Sequence, residues 1–252
     1  MKLTAVIITK NEEFNILRCL NSLLDVADEI VVVDSGSTDN TQAICESFGV
    51  RFVHHDWQGY SEQKNFANSL ASNDWILSID ADEELSDELK HSILKYKNKH
   101  IPHDMVFSMN RLTNYCGHWI RHCGWYPDRK IRIWNREIGK WKGEIHETIE
   151  FSKEIKEKVL HGDLLHYSFN SSYEFENQQF KFAKMRGEQY FQKGKKHASF
   201  YMVVSPIFAF VQHYFFQLGF LDGADGLYIC WISAKATKLK YKTLKELTDK
   251  KL

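Results

Sequence analysis

The 252-residue sequence has no excess of either charge: lysine plus arginine number 33, and so do aspartate plus glutamate. A global basic field for nucleic acid is therefore absent, and electrostatic recognition has to be local. Cysteine offers no framework either. The five cysteines (Cys19, Cys45, Cys116, Cys123, Cys230) are an odd number without a C-x-x-C pair, which argues for a reducing compartment. No G-x-G-x-x-G follows the first strand pattern and no G-x-x-x-x-G-K-[ST] occurs, so a dinucleotide site and a P-loop are not expected. The apolar run near Met1 meets Lys10-Asn11-Glu12-Glu13 too soon for a signal peptide, and the expected location is cytoplasmic.

What is present is apolar and aromatic: 43% and 14% of residues, enough for one large domain or a domain with an appendage. Leu3-Thr4-Ala5-Val6-Ile7-Ile8 has the pattern of a strand buried on both faces of a parallel sheet. Ile16, Leu17, Leu20, Leu23 and Leu24 recur at helical spacing. A second strand, Glu29 to Val33, ends in Asp34-Ser35-Gly36-Ser37-Thr38-Asp39, where Ser37 or Thr38 is expected to cap the next helix and Gly49 to stop it. Val50–Val53 reads as a third strand and Gln63–Ala71 as a helix.

The fourth strand, Trp75-Ile76-Leu77-Ser78-Ile79, runs abruptly into Asp80-Ala81-Asp82-Glu83-Glu84. Acids at the carboxyl end of a rigid apolar strand suit a hard-metal or phosphate-handling site. The plainer reading is a helix whose acidic first turn complements its dipole. Because parallel strands end on one edge, Asp34 and the Asp80/Asp82 pair can converge on one ligand.

The alternation of strand and helix gives an α/β half over residues 1–100. Residues 101–172 are more aromatic and richer in His and Arg, and are expected to form an acceptor-binding half of the same domain. Within them Cys116-Gly117-His118 and His122-Cys123 are too close together for a usual zinc spacing and read as a ligand-facing loop. Residues 173–252 read as a helical, membrane-proximal extension. There, Tyr201–Leu221 lacks Asp, Glu, Lys and Arg, and Lys235, Lys238, Lys240, Lys242 and Lys245 follow. An aromatic-apolar segment beside lysines is the composition of a protein that sits on an anionic membrane surface; a core helix pair and a spanning helix are the competing readings.

The motifs Thr9-x-Asn11-Glu12, Asp34-Ser35-Gly36-Ser37-Thr38-Asp39 and Asp80-x-Asp82 stand in order on successive strand ends. With Gln63-Lys64-Asn65-Phe66-Ala67, Tyr126-Pro127-Asp128, Arg132, Trp141-x-Gly143 and His146-Glu147, the chain resembles family 2 glycosyltransferases of the GT-A fold, in particular lipopolysaccharide-core glucosyltransferases acting on heptose. The resemblance implies a uridine diphosphate (UDP) sugar donor and Mg²⁺ or Mn²⁺ to neutralise the leaving diphosphate. Asp82 would hold the metal, with Asp80 on the ribose or in the metal shell. Asp34 would accept the uracil imide N–H, Thr9 and Glu12 would line the nucleoside pocket, and Lys64 would stand near base or diphosphate. Arg132, with Arg129, would hold oxyanions.

The implied reaction is an inverting transfer of a hexose, expected to be glucose, to a lipopolysaccharide-core or other lipid-linked glycan at the inner face of the cytoplasmic membrane. One carboxylate would deprotonate the acceptor hydroxyl: Glu147, with Glu144 in reserve. Three other readings compete. A D-x-D phosphohydrolase lacks its later acidic cluster and has Glu84 where Thr or Val is usual. A non-catalytic membrane-associated glycan-binding protein does not account for the intact Asp34, Asp80 and Asp82. A processive polysaccharide synthase is disfavoured because there is no Q-x-x-R-W motif and no set of spanning helices.

Overall fold

A computed structural model describes residues 1–97, 99–143 and 147–250. Two compact units emerge: Met1–Arg111 with Asp128–Tyr167, and Leu112–Pro127 with Ser168 onward. Residues 112–127, within the span expected to be an acceptor half, group with the C-terminal helices.

The chain runs β1 (Leu3–Thr9), α1 (Ile16–Leu23), β2 (Glu29–Asp34), α2 (Thr41–Ser47), β3 (Arg51–His54), α3 (Tyr60–Leu70), β4 (Trp75–Asp80), β5 (Glu83–Leu85), α4 (Asp87–Lys97) and β6 (Met105–Tyr115). After β7 (His118–Ile120), which belongs to the other unit, come β8 (Asp128–Asn135), β9 (Gly139–Lys142), β10 (Thr148–Phe151) and β11 (Lys156–Phe169). The sheet order is β3-β2-β1-β4-β8-β6-β11-β5, and β9 and β10 form a separate antiparallel pair.

The apolar run of β1 is divided by its period of two between two cores. Leu3, Ala5 and Ile7 pack with Ile16, Cys19 and Leu20 of α1 and Leu89 and Ile93 of α4. Val6 packs with Ala67 of α3 and with Trp134 and Trp141. Both faces being covered is why β1, β2 and β4 read as nearly unbroken apolar stretches. Their parallel pairing sets Thr9 opposite Asp34 and Ile8 opposite Asp80, which brings three chemical strand ends to one edge.

Two local expectations change. Neither Ser37 nor Thr38 caps α2: Ser37 Oγ is spent on Asp34, Asn40 holds the N-cap position without a side-chain cap bond, and Asp39 Oδ1 accepts the Thr41 N–H at 3.0 Å. After Asp82 no helix begins at once. The short strand β5 intervenes, pairing antiparallel with β11, and carries Glu83 into full burial.

The second unit packs Tyr115, Ile120 and Cys123 with Phe169, with Phe175 of α5 (Ser172–Gln192) and with Ile229, Cys230 and Ile232 of α7 (Gly223–Asp249). The His118–Cys123 loop is spent internally here. His118 pairs with Asp225 at 2.7 Å, His122 with Asp222 at 2.8 Å, and the Cys123 and Cys230 sulfurs lie 3.6 Å apart. The loop's groups therefore face α7 and its approach, where the sequence suggested a ligand. α6 (Ala198–Val211), extended by a π-turn over Gln212–Phe216, buries none of its residues. It forms the one stretch among the described residues long and apolar enough to cross a membrane, 19 residues at mean hydropathy 1.2.

Candidate active site

The loops after β1 and β2 are sewn together by their own motif residues. Asn11 N–H donates to Ser37 Oγ, Thr38 N–H to Asn11 Oδ1, Glu12 N–H to Thr41 Oγ1 and Glu13 N–H to Asp39 Oδ2, all within 2.8–3.1 Å. Asp34 is part of this stitching. Its carboxylate accepts the N–H groups of Gly36 and Ser37 and the Ser37 hydroxyl, holding a turn in which Gly36 takes φ +84°. Much of the two motifs is thus loop architecture. From these two loops Thr9, Lys10, Glu12 and Ser35 line the adjoining cleft, about 610 Å³.

Thr9 Oγ1 is buried without a partner, an arrangement that a bound polar group would relieve. Burial pushes the Glu12 carboxyl above its usual value; the Asn15 amide, donating at 2.8 Å, offsets this only in part, and Asp82, Asp39 and Asp80 add repulsion. The exposed rings of Trp57 and Tyr60, edge to face at 4.7 Å, form a further wall that the motifs did not indicate.

The motif Gln63-Lys64-Asn65-Phe66-Ala67 lies within α3, and each residue has a distinct task. Gln63, fully buried, reaches Ser35 Oγ and His55 O; Asn65 brackets Trp141 through that residue's N–H and C=O; Phe66 stacks on His55 at 3.8 Å; Ala67 enters the core. Lys64, 5% exposed, binds Asp80 Oδ1 at 3.0 Å and Glu147 Oε1 at 3.1 Å, with its ammonium 4.6 Å from the centre of the Trp141 ring. Asp80 Oδ2 accepts from Arg132 at 3.1 Å, and Arg132 also pairs with buried Glu83. Burial alone would raise the Asp80 carboxyl, but Lys64 and Arg132 outweigh it and hold it well below the usual range. By the same balance the Arg132 guanidinium, which burial would weaken, is held protonated by Glu83 and Asp80. Arg129, by contrast, is exposed.

Asp82 faces elsewhere. Its Oδ2 lies 3.1 Å from Nε2 of His166, which β11 delivers by pairing His166 opposite Glu83. His166 has no local signature in the sequence; only strand register brings it beside a residue 84 positions away. Both groups line the cleft with Asp80, Lys64 and Glu147. With both Asp80 oxygens taken by cations, the donors that fit a divalent ion are the Asp82 carboxylate and the His166 imidazole. A diphosphate and water would complete the shell, as is usual for Mg²⁺-type sites. Among the described residues no group of three or more such side chains is placed to hold a metal by itself. Glu147 lies within hydrogen-bond reach of Lys64, whereas Glu144 and His146 lie outside the described residues.

The sequence profile of Glycosyl transferase family 2 matches residues 4–170. An uncharacterized glycosyltransferase of Rickettsia typhi is 32% identical over 99% of this chain and 88% of its own length. The lipopolysaccharide core biosynthesis glycosyltransferase LpsC of Rhizobium meliloti is 30% identical over 92% of this chain and 85% of its own. Among solved structures, TarS of S. aureus in complex with UDP covers all of this chain and 92% of its own at 16% identity and a TM-score of 0.45. The profile match spans both loops, the Asp80/Asp82 strand end and His166, and the relatives match nearly end to end. The chain belongs to glycosyl transferase family 2.

Proposed function

We propose that this glycosyltransferase moves a hexose, glucose by the resemblance of its motifs, from a UDP-sugar to a lipid-linked glycan of the lipopolysaccharide-core type, with inversion at the anomeric carbon. The observation that carries the reading is the convergence of Asp82, His166, Lys64 and Glu147 on one cleft beside the stitched β1 and β2 loops. Thr9, Glu12 and Ser35 would contact the nucleoside, and Trp57 and Tyr60 offer flat faces for a base. Asp82 and His166 would hold a divalent cation, which when bound neutralises the charge of the leaving diphosphate. Glu147 would take the proton of the acceptor hydroxyl as that oxygen bonds to the anomeric carbon and the carbon–phosphate-oxygen bond breaks. Lys64 orients Glu147 and Asp80 at once. The relative named for lipopolysaccharide core biosynthesis supports the acceptor class.

The second unit supports a membrane-surface acceptor. Phe200, Val203, Val204, Ile207 and Phe208 lie at helical spacing on α6 and are all exposed. Lys193, Lys195 and Lys196, also exposed, immediately precede the helix. An unpartnered apolar stripe with lysines at its start is complementary to an anionic lipid surface in both its parts.

Calorimetric titration with UDP, with and without Mn²⁺, followed by a panel of UDP-sugars, tests the donor assignment. Metal-dependent binding with one preferred sugar is expected. Absence of binding to any uridine nucleotide would overturn the reading.

A further inference from the structure

Gln63 is fully buried on α3, and the chemistry of its three polar contacts fixes which way its amide points. Its Nε2 lies 3.0 Å from the main-chain oxygen of His55, which can only accept, so that end must be the NH₂ group. The same NH₂ donates to Ser35 Oγ at 2.9 Å, and the amide oxygen is left facing His55 Nδ1 at 2.9 Å. A flipped amide would set two oxygens against each other at His55 and is excluded. The oxygen that faces Nδ1 therefore needs a proton there, on a ring that stacking against Phe66 at 3.8 Å holds in place.

The consequence falls on Ser35, which follows Asp34 at the end of β2 and lines the 610 Å³ cleft. Its backbone N–H is spent on Thr9 O at 3.0 Å. Its side-chain oxygen already accepts from Gln63, and among the described residues the hydroxyl hydrogen has no acceptor of its own. Ser35 is 9% exposed and lines the cleft, so the group able to take this hydrogen is an acceptor bound there. Were the oxygen to accept a second bond from a ligand instead, its hydrogen would stay unmatched in a nearly buried setting, which is costly.

With a nucleoside in this cleft, as proposed above, a fixed donor has a use. It admits a base that offers a keto oxygen and refuses one that offers an amino group, and a site built to hydrogen-bond one group rejects its replacement strongly. Uracil and cytosine differ at one such position, keto in the first and amino in the second. We infer that the relay His55–Gln63–Ser35 selects the base. Ser35 is the specificity-determining contact for that keto oxygen, and Gln63 and His55 are positioning residues that keep its hydroxyl a donor. This step rests on the nucleotide-donor reading above.

The test is calorimetric titration of the full chain with UDP and with cytidine diphosphate (CDP), both with Mn²⁺. UDP is expected to bind more tightly. Ser35→Ala should narrow the preference about tenfold, ~1.4 kcal/mol, chiefly by weakening UDP. Gln63→Glu is the sharper variant: a carboxylate has no hydrogen to give Ser35, so it takes the serine's hydrogen and leaves only lone pairs towards the cleft. The UDP preference should then fall below that of Ser35→Ala with CDP still bound, whereas a merely structural role would weaken both nucleotides alike. The unmutated chain supplies a second readout. Above the ordinary histidine range, a long-range ¹H–¹⁵N spectrum should show His55, assigned by its loss in His55→Phe, protonated on Nδ1. A neutral His55 protonated on Nε2, equal binding of UDP and CDP, or parallel weakening or an unchanged ratio in the variants overturns the inference. Failure of the unmutated chain to bind either nucleotide would instead overturn the donor reading.

Discussion

Replacing Asp80 by asparagine tests whether the wall of the cleft is held together electrostatically. Asp80 sits 3.0 Å from Lys64 and 3.1 Å from Arg132, with its side chain 27% exposed. At an effective dielectric constant of about 20, each contact carries roughly 5 kcal/mol of Coulomb attraction before desolvation. Desolvation returns most of that, and each cation keeps a second carboxylate, Glu147 for Lys64 and Glu83 for Arg132. The expected loss is therefore at the low end of the range for breaking a buried pair, about 3 kcal/mol. For a chain of this size it corresponds to a Tm lower by about 6–12 °C.

The assay is thermal unfolding followed by tryptophan fluorescence in Asp80→Asn, Lys64→Met and the double variant. A coupling energy of about 1 kcal/mol or more is expected between the two sites. The pH dependence has a definite sign. Because the Asp80 carboxyl is held below its unfolded value, its contribution is complete above the ordinary carboxylate range near pH ~4 and is lost only as the pH falls towards its lowered folded value. Additive single variants, or a stability gap that closes already between about pH 6 and pH 5, would refute this account.

Other outcomes follow from the same geometry. Asp82→Ala should abolish metal-dependent turnover while the protein stays folded, and His166→Ala should raise the Mn²⁺ concentration needed for half-maximal activity; unchanged metal dependence in both would remove them as ligands. Glu147→Gln should retain UDP-sugar binding and lose transfer by about 10²–10⁴-fold, the usual contribution of a general base; a fully active variant would move the base elsewhere. Phe208→Ser with Lys195→Glu should weaken sedimentation with anionic phosphatidylglycerol vesicles, and unchanged binding would contradict the surface-docking role of α6. These surface changes serve better than truncating α7 from Lys235, because Leu244 is fully buried and Lys240 packs on Tyr190 and Tyr241.

The sequence by itself determined the parallel strands, their order along the chain and the acids at their ends. Leu3–Thr9 and Trp75–Asp80 are legible because a strand buried on both faces needs an apolar side chain at nearly every position, a local requirement that composition records. The tertiary structure decided what each polar group does. Asp34, expected to contact the base, also holds its own turn; Lys64, expected near base or diphosphate, also ties Asp80 to Glu147; and Asp82 acquires His166, 84 residues later in the chain. Residues 112–127 likewise join the helices that follow Ser168 because their aromatic and sulfur side chains bury against α5 and α7. Periodicity reports which face of an element is apolar. It carries no record of which distant strand lies beside it, and the partner of a buried charge is settled by that register alone.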